Sequence, residues 1–290
     1  MASLKYYRKR INVLKNMQKV MNAMRMIATI KMNKLLRLQA SLAMFEQSLE
    51  EIGRDINNAL GDLKHPLVNS SKAVTKKHVV VLTADRGMCG PHNASIYKEI
   101  ALFDKRCSKE RSAIEVTCIG NRGIHYCKRK NYEIFFQSEI NEHSFTDASV
   151  AHLASTLVNR FLDGKIQELH IISNYYVSAI HQQCMITQLI PFSLPKDINK
   201  KKATLVTSTE PEPDNFIVKG GILYISHKIM SALYNSYLSE QAARMTAMEN
   251  STANSEELIR HFVKLRNRAR QSSITNALIE IISGKEALKG

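Results

Sequence analysis

Residues 4–34 read LKYYRKRINVLKNMQKVMNAMRMIATIKMNK, and one spacing within them decides the fold. Every seventh position is apolar from Tyr7 through Leu14, Met21, Ala28 and Leu35, and the series runs on through Leu42, Leu49, Ile56 and Leu63. A seven-residue repeat of that length marks a coiled-coil seam, not the 3.6-residue stripe of an ordinary globular helix. The second seam position is less regular. It starts with Leu4 and Ile11 and is interrupted by Gln18 and Arg25. The flank formed by Met17, Met24, Leu38, Phe45 and Ile52, with Lys31 as the exception, is then expected to take over. A seam that changes flank predicts a helix that twists about its partner or passes to another partner. Neither Gly nor Pro occurs from Met1 to Ile52. Gly53 and Gly61 are expected to loosen the far end, and Gly61, Pro66, Ser70 and Ser71 to finish it. At ~1.5 Å per residue, a helix of about 55 residues extends for about 80 Å, more than a compact domain needs.

The other end of the chain repeats the pattern, since Ile222 to Ser283 again lacks Gly and Pro. Its seam is weaker, carried by Leu238, Met245 and Ile259, and the small residues of NSTANS (250–255) would admit another backbone closely. The middle reads differently. HVVVLTA (78–84), AIEVTCIG (113–120), ELHIISNYYV (168–177) and CMITQLIPF (184–192) are short strand-like runs. NASIYKEIALFDKRC (93–107), RGIHYCKRK (122–130) and DASVAHLASTLVNRFLDG (147–164) are helical, the last with Asp147 as candidate N-cap. Strands alternating with helices predict a small, largely parallel sheet. The fold class is therefore α/β: a long antiparallel two-helix coiled coil carrying an inserted small Rossmann-like α/β domain. The expected boundaries are an N-terminal coiled-coil helix at 1–62, a linker at 63–75, an α/β foot at 76–195, a linker at 196–219 and a C-terminal coiled-coil helix at 220–290.

The 41 Lys and Arg against 26 Asp and Glu give a net charge of +15, which draws phosphates, acidic lipid or acidic protein without choosing among them. No run of about 18 apolar residues occurs, so no segment is expected to span a bilayer. The five cysteines form no CxxC pair and are odd in number, which points to free thiols in a reducing compartment. Ten Lys or Arg precede the first acid, Glu46, which gives the amino terminus the character of a mitochondrial presequence. The heptad pattern runs unbroken far beyond presequence length, however, and favours a structural helix.

Chemistry is hard to find. The ten histidines show no HxxxH or HExxH spacing, so no metal site is expected. The glycine turns RGMCG (86–90) and GNRG (120–123) follow strands as a phosphate cradle would, yet neither meets a nucleotide-binding pattern. No GxSxG or nucleophile–base pairing is legible. Cys89, close to Arg86 in a turn, could be an activated thiolate, but is more simply a small residue in a tight loop. No catalytic residue and no cofactor is expected. A basic coiled-coil nucleic-acid-binding or scaffold protein is the physical competitor, although no Trp is present and aromatic residues do not interleave with the charges as stacking platforms would.

Three motifs carry a resemblance. The stretch at 4–34, LTADRGMCG (82–90), and SEQAARMTAMENSTANSEELI (239–259) with NRARQSSITNALIEIISGKEAL (267–288) are together similar to the gamma subunit of F-type ATP synthase. IGNRG and SNYYVSAIHQQCMITQLIPF extend the likeness into the middle. The resemblance implies a non-catalytic rotor. The terminal helices would form a shaft inside a head of alternating alpha and beta subunits, and the foot would stand on a ring of membrane c subunits beside epsilon (delta in mitochondria). Rotation driven by protons would change nucleotide affinity at sites on other subunits, with no nucleic acid and no direct membrane span.

By the same resemblance, Met24 and Arg25 lie near the acidic lever of a beta subunit and Arg86 and Cys89 in the loop beside it. Arg270 and Gln271 form a hydrogen-bonded catch on a beta subunit, and Thr275 and Glu280 influence coupling. Ile274, Leu278, Ile281 and Ile282, within an arc completed by Ala277 and Ile279, suit an apolar bearing at the shaft tip. Asn22, Arg25 and Ile30 depart from the residues usual in the family, and Pro91-His92 replaces Gly-Leu, which leaves the loop shape open. The regulatory cysteine insert of the chloroplast form is absent. The Lys, Asn and Ile richness and the basic amino terminus favour the matrix side of the mitochondrial inner membrane, with the cytoplasmic side of a bacterial plasma membrane as the alternative.

Overall fold

The computed structural model describes residues 4–60, 65–67, 74–139, 146–192 and 213–288. The side chains of Leu42, Leu49, Ile52 and Ile56 lie outside the described set, as do Gly61, Leu63, Ser70, Ser71 and residues 196–212. Two compact units are present, one comprising the chain up to Ala28 and from Met245 onward, the other Thr29–Arg244. Two long helices contribute to both: α1 (Leu4–Leu60) and α5 (Pro213–Ala287).

In the first unit, the ring of Tyr7 lies 6.4 Å from that of Phe262, and Gln18 Nε2 donates to Glu256 Oε1 at 3.0 Å. Numbers rise on α1 as they fall on α5, so the helices are antiparallel. Leu4, Tyr7, Ile11, Leu14, Gln18, Met21, Arg25 and Ala28 are buried or half-buried, in unbroken steps of three and four. The expected change of flank is incomplete here, for Gln18 and Arg25 stay in the seam and Met17 is 52% exposed, while Met24 of the expected flank is half-buried beside Arg25. The helical backbone keeps its register, and a polar seam residue is accommodated because it finds a partner across the interface, as Gln18 does in Glu256. On α5 the covered series is Met248, Thr252, Ser255, Ile259, Phe262 and Arg266, with Ser255 buried within the small-residue patch. From Ser273 to Leu288 every side chain is exposed.

Within the second unit the two helices are also antiparallel, with Lys31 Nζ donating to the Tyr237 hydroxyl at 3.1 Å and Phe45 meeting His227 at 4.7 Å between rings. Met32 and Leu35 are buried, whereas Leu38 and Phe45, members of the expected flank, remain exposed. The unit is built on five strands: β1 (Lys76–Leu82), β2 (Ala113–Ile119), β3 (Glu133–Ser138), β4 (Glu168–Tyr176) and β5 (Gln182–Ile190). Between them lie α2 (His92–Lys109), α3 (Asn121–Arg129) and α4 (Asp147–Leu162). The spatial order is β3-β2-β1-β4-β5, all parallel except β5, which pairs antiparallel with β4.

Each sheet face is covered. On one, Val80, Leu82, Leu169 and Ile171 pack against Leu153, Leu157 and Phe161 of α4 and Ile225, Ile229 and Leu233 of α5. On the other, Val79, Val81, Val116 and Cys118 meet Ile96, Ile100 and Phe103 of α2 and Ile124 and Cys127 of α3. A continuous apolar run such as Val79–Leu82 is what a strand covered on both sides requires.

Three local expectations change. β3 is not foreseen from the sequence, because a bulge at Phe135 breaks its alternation: Val116 pairs with Ile134 but Thr117 with Phe136. The N-cap of α4 is Thr146, whose side chain accepts from Ser149 N, and Asp147 is the first helical residue instead. α5 starts at Pro213 and runs straight through Gly220 and Gly221. A Cβ on Gly221 would stand 3.3 Å from both Leu67 and Phe192, so a glycine there lets the helix approach closely.

Candidate functional site

The strand order reverses between β1 and β4, and in sheets of this kind the crevice beyond the strand ends at that point is the usual ligand site. Here the crevice is filled by the chain itself. The loop Thr83–Pro91 leaves β1, and Thr83 N donates to Ile119 O at 2.8 Å. The first turn of α3 then spends its free N–H groups on the loop. Asn121 N donates to Asp85 Oδ1 at 2.8 Å, Gly123 N to Thr83 Oγ1 at 2.8 Å, and Arg122 N to Ala84 O at 3.2 Å. A Cβ on Gly120 would fall 2.0 Å from Thr83 O, and the residue has φ +104°. The GNRG turn is thus glycine-rich to admit Thr83, and its donors are not directed at a phosphate.

The RGMCG turn is equally committed. Met88 and Gly90 adopt positive φ, Ala84 N donates to Asn93 Oδ1 at 3.0 Å, and His92 N to Cys89 O at 3.2 Å. These bonds lift Arg86 and Met88 into solvent and turn Cys89 inward, where it is 2% exposed. The Cys89 thiol accepts from Asn93 Nδ2 at 3.3 Å, and burial raises its pKa, so it is no activated thiolate. The neighbouring Pro91-His92 pair opens α2 smoothly, with Pro91 as N-cap.

Opposite the loop, Leu238 to Ala243 of α5 are buried without a break. Among them is Glu240, bonded to Arg244 at 2.6 Å. Burial pushes the Glu240 carboxyl up, opposed by Arg244 and, more weakly, by Lys31 of α1; Asp85 of the loop adds to the rise. Glu240 and Arg244 also act electrostatically on Cys89. Loop, α1 and α5 therefore each contribute a half-buried charge that acts on buried Glu240. Sequence reasoning did not single out Asp85, Glu240 or Arg244 and met Lys31 only as the exception on the expected flank, although SEQAAR within a matched motif carries Glu240 and Arg244.

The remaining expected residues lie on helix faces in the first unit. Met24 and Arg25 are half-buried, while Arg270, Gln271, Thr275 and Glu280 are exposed. Thr275 Oγ1 donates to Gln271 O at 3.0 Å, which ties those two together. Arg270 sits eight residues beyond Phe262, the partner of Tyr7, so the Met24–Arg25 and Arg270–Gln271 pairs occupy different levels. Ile274, Leu278, Ile281 and Ile282 are 50%, 54%, 69% and 58% exposed. Among the described residues no group of three or more His, Cys, Asp or Glu could hold a metal, and no helix is long and apolar enough to cross a membrane. All five cysteines are free thiols.

Known proteins are similar to this chain along its whole length. A family model described as ATP synthase matches residues 3–288. The ATP synthase gamma chain of Moorella thermoacetica is 32% identical over 296 residues, and that of Exiguobacterium sp. 31% over 291, each alignment covering 100% of both chains. Among solved structures, a chain of the Euglena gracilis mitochondrial ATP synthase rotor matches with TM-score 0.66 at 16% identity, over 93% of this chain and 98% of that one. A chain of the Tetrahymena thermophila mitochondrial central stalk and c-ring gives 0.58 at 23%, over 80% and 98%. The structural likenesses carry the fold, and the full-length identity to the two curated relatives carries the family: this chain belongs to the gamma chains of the ATP synthase family.

Proposed function

We propose that the chain is the non-catalytic central-stalk rotor subunit of an F-type ATP synthase, coupling proton-driven rotation to ATP synthesis on other subunits. The observation that carries this reading is the antiparallel pairing of α1 and α5, joined to full-length similarity to gamma chains. A shaft must be stiff and must slide. The regular seam without Gly or Pro from Met1 to Ile52 supplies stiffness, and exposed basic side chains supply contacts of about 1 kcal/mol or less that can be made and released.

In this reading Met24, Arg25, Arg86, Cys89, Arg270, Gln271, Thr275 and Glu280 mark the faces turned to the beta subunits. Ile274, Leu278, Ile281 and Ile282 turn in an apolar bearing. Cys89, being buried, contributes by shaping the loop that presents Arg86 and Met88. Alpha and beta subunits, epsilon (or mitochondrial delta) and a c-subunit ring are the partners. The basic, acid-free start of the chain supports the matrix face of a mitochondrial inner membrane, whereas the two bacterial relatives support the cytoplasmic face of a plasma membrane. Import of the labelled chain by isolated mitochondria separates the two.

The test is purification from native membranes. Recovery with alpha and beta subunits, and loss of ATP-driven proton pumping in Arg270→Ala, is the expected result. Recovery without those subunits, with tight salt-dependent binding to duplex DNA, would overturn the reading in favour of a nucleic-acid protein.

A further inference from the structure

One buried titratable group beneath the Thr83–Pro91 loop has no part in the coupling surface. His92, the first residue of α2, is 3% exposed. Asn174, two residues before the end of β4, uses its amide nitrogen twice on this residue, at 2.8 Å from the His92 carbonyl oxygen and 2.9 Å from ring Nδ1. Ser95 Oγ stands 3.0 Å from Asn174 Oδ1. A backbone carbonyl can only accept, so it fixes the orientation of the amide, and Nδ1 must be the unprotonated nitrogen. The neutral ring then carries its proton on Nε2, a buried atom with no hydrogen-bond partner. The His92 backbone N–H meanwhile donates to Cys89 O at 3.2 Å. One residue thus fastens the loop on one side and β4 on the other.

We propose that His92, clamped by Asn174, is a positioning residue that holds the Thr83–Pro91 loop closed while its ring is neutral, and that acid releases the loop. Closure leaves no place for a second ring proton, since Nδ1 faces a donor and, among the described residues, Nε2 has no hydrogen-bond partner. The charged groups at hand are Arg244 and Glu240 of α5 and Asp85 of the loop, with the Cys89 thiol beside them. Burial first, then the charge of Arg244, lowers the ring's pKa from 6.5 to about 3. A depressed histidine pKa favours the closed state fully above 6.5, and that advantage is lost as pH falls from 6.5 towards 3, by a limit of about tenfold in the opening equilibrium per pH unit. The raised Glu240 carboxyl acts in the opposite sense, taking its proton in the closed state. Comparison with a His92 variant cancels that contribution, because Glu240 is present in both chains.

The importance of the latch rests on reading the loop as a coupling contact, but its existence does not, and the experiment separates the two. The full-length chain is treated with N-ethylmaleimide between pH 5 and pH 8. Modification at Cys89 is followed by peptide mass spectrometry and normalised to the unfolded chain, which removes thiolate reactivity. In the wild type, Cys89 modification is expected to rise steeply below about pH 6.5, while His92→Gln shows no such rise. Asn174→Ala is expected to expose Cys89 at pH 8 as well, with Cys107, Cys118 and Cys127 still protected. The same pH profile in wild type and His92→Gln, or labelling of Cys89, Cys107, Cys118 and Cys127 in parallel, overturns the latch. ATP-driven pumping by the assembled complex is then measured at pH 6. Loss of coupling in the wild type relative to His92→Gln ties the latch to rotation, whereas an unchanged ratio beside a working latch overturns the coupling role of the loop alone.

Discussion

The faces of the β-sheet and the last turns of α5 are both rich in isoleucine and leucine, and they treat these residues oppositely. Ile225 and Ile229 are 0% exposed against the sheet, while Ile274 and Ile281, on the same helix, are 50% and 69% exposed. The sheet also buries charge only where every charge has a partner. Glu115, 3% exposed, accepts from Arg160 at 2.8 and 2.6 Å, from Lys76 at 3.0 Å and from His78 Nδ1 at 2.8 Å. Burial keeps His78 neutral, so its Nδ1–H serves Glu115 and its Nε2 accepts from Thr117 Oγ1 at 2.9 Å. One region meets the charge of Glu115 from within the chain. The other presents an apolar surface that the described residues leave uncovered, which is the mark of an interaction site.

The contrast breaks most visibly at Arg160. Its guanidinium bonds Glu115 twice and lies 3.9 Å from the centre of the Phe135 ring. Arg160→Ala leaves a buried carboxylate without the guanidinium that bonds both its oxygens and should destabilise the chain by about 3–5 kcal/mol, read from urea unfolding. A loss below about 1 kcal/mol would mean that water reaches Glu115 and the cluster is not buried.

Acid probes the same place more gently. Burial pushes the Glu115 carboxyl up, but the bonds from His78 and Lys76 and the charge of Arg160 outweigh it and bring it down to about 2. A depressed carboxylate pKa contributes stability that is present above 4.5 and lost as pH falls towards 2, on the order of 3 kcal/mol for this shift. The melting temperature should therefore fall through that window, and less so in Glu115→Gln. Smaller again is the cap of α4: Thr146→Ala removes the acceptor for Ser149 N and should cost about 1 kcal/mol, measured in the same urea titration.

The sequence made much of this legible, and the exceptions have causes. The seam at Tyr7, Leu14, Met21 and Ala28 was readable because heptad spacing is a property of the helix alone. Gln18 and Arg25 are misleading because a polar residue reads as a break in the seam, and only the structure supplies Glu256 opposite Gln18. Val79–Leu82 announced a strand covered on both faces, whereas β3 was hidden by the extra residue Phe135. For the site, Arg86 and Cys89 were legible only through the likeness of LTADRGMCG to a known motif. The partners of the loop, Asn174 and Glu240, lie far off in sequence and are brought in by the sheet order and by α5. Spacing could not reveal pairings that depend on where β4 and a distant helix come to rest.

The smallest effect on stability should come where the effect on assembly is largest. Leu278 is 54% exposed, beyond the last half-covered residue of the seam, Ser272. Leu278→Asp removes no packing within the chain, and a mid-helix aspartate lowers helix propensity by only about 0.5 kcal/mol, so urea unfolding of the isolated chain should barely change. In the complex the same carboxylate would have to enter an apolar sleeve without a partner, at a penalty of several kcal/mol, and recovery of the variant with alpha and beta subunits should collapse. Leu278→Met keeps the apolar volume and should assemble normally. Leu278→Asp with wild-type recovery would place the tip in water, and the exposed isoleucines at 274, 281 and 282 would then need an explanation other than a bearing.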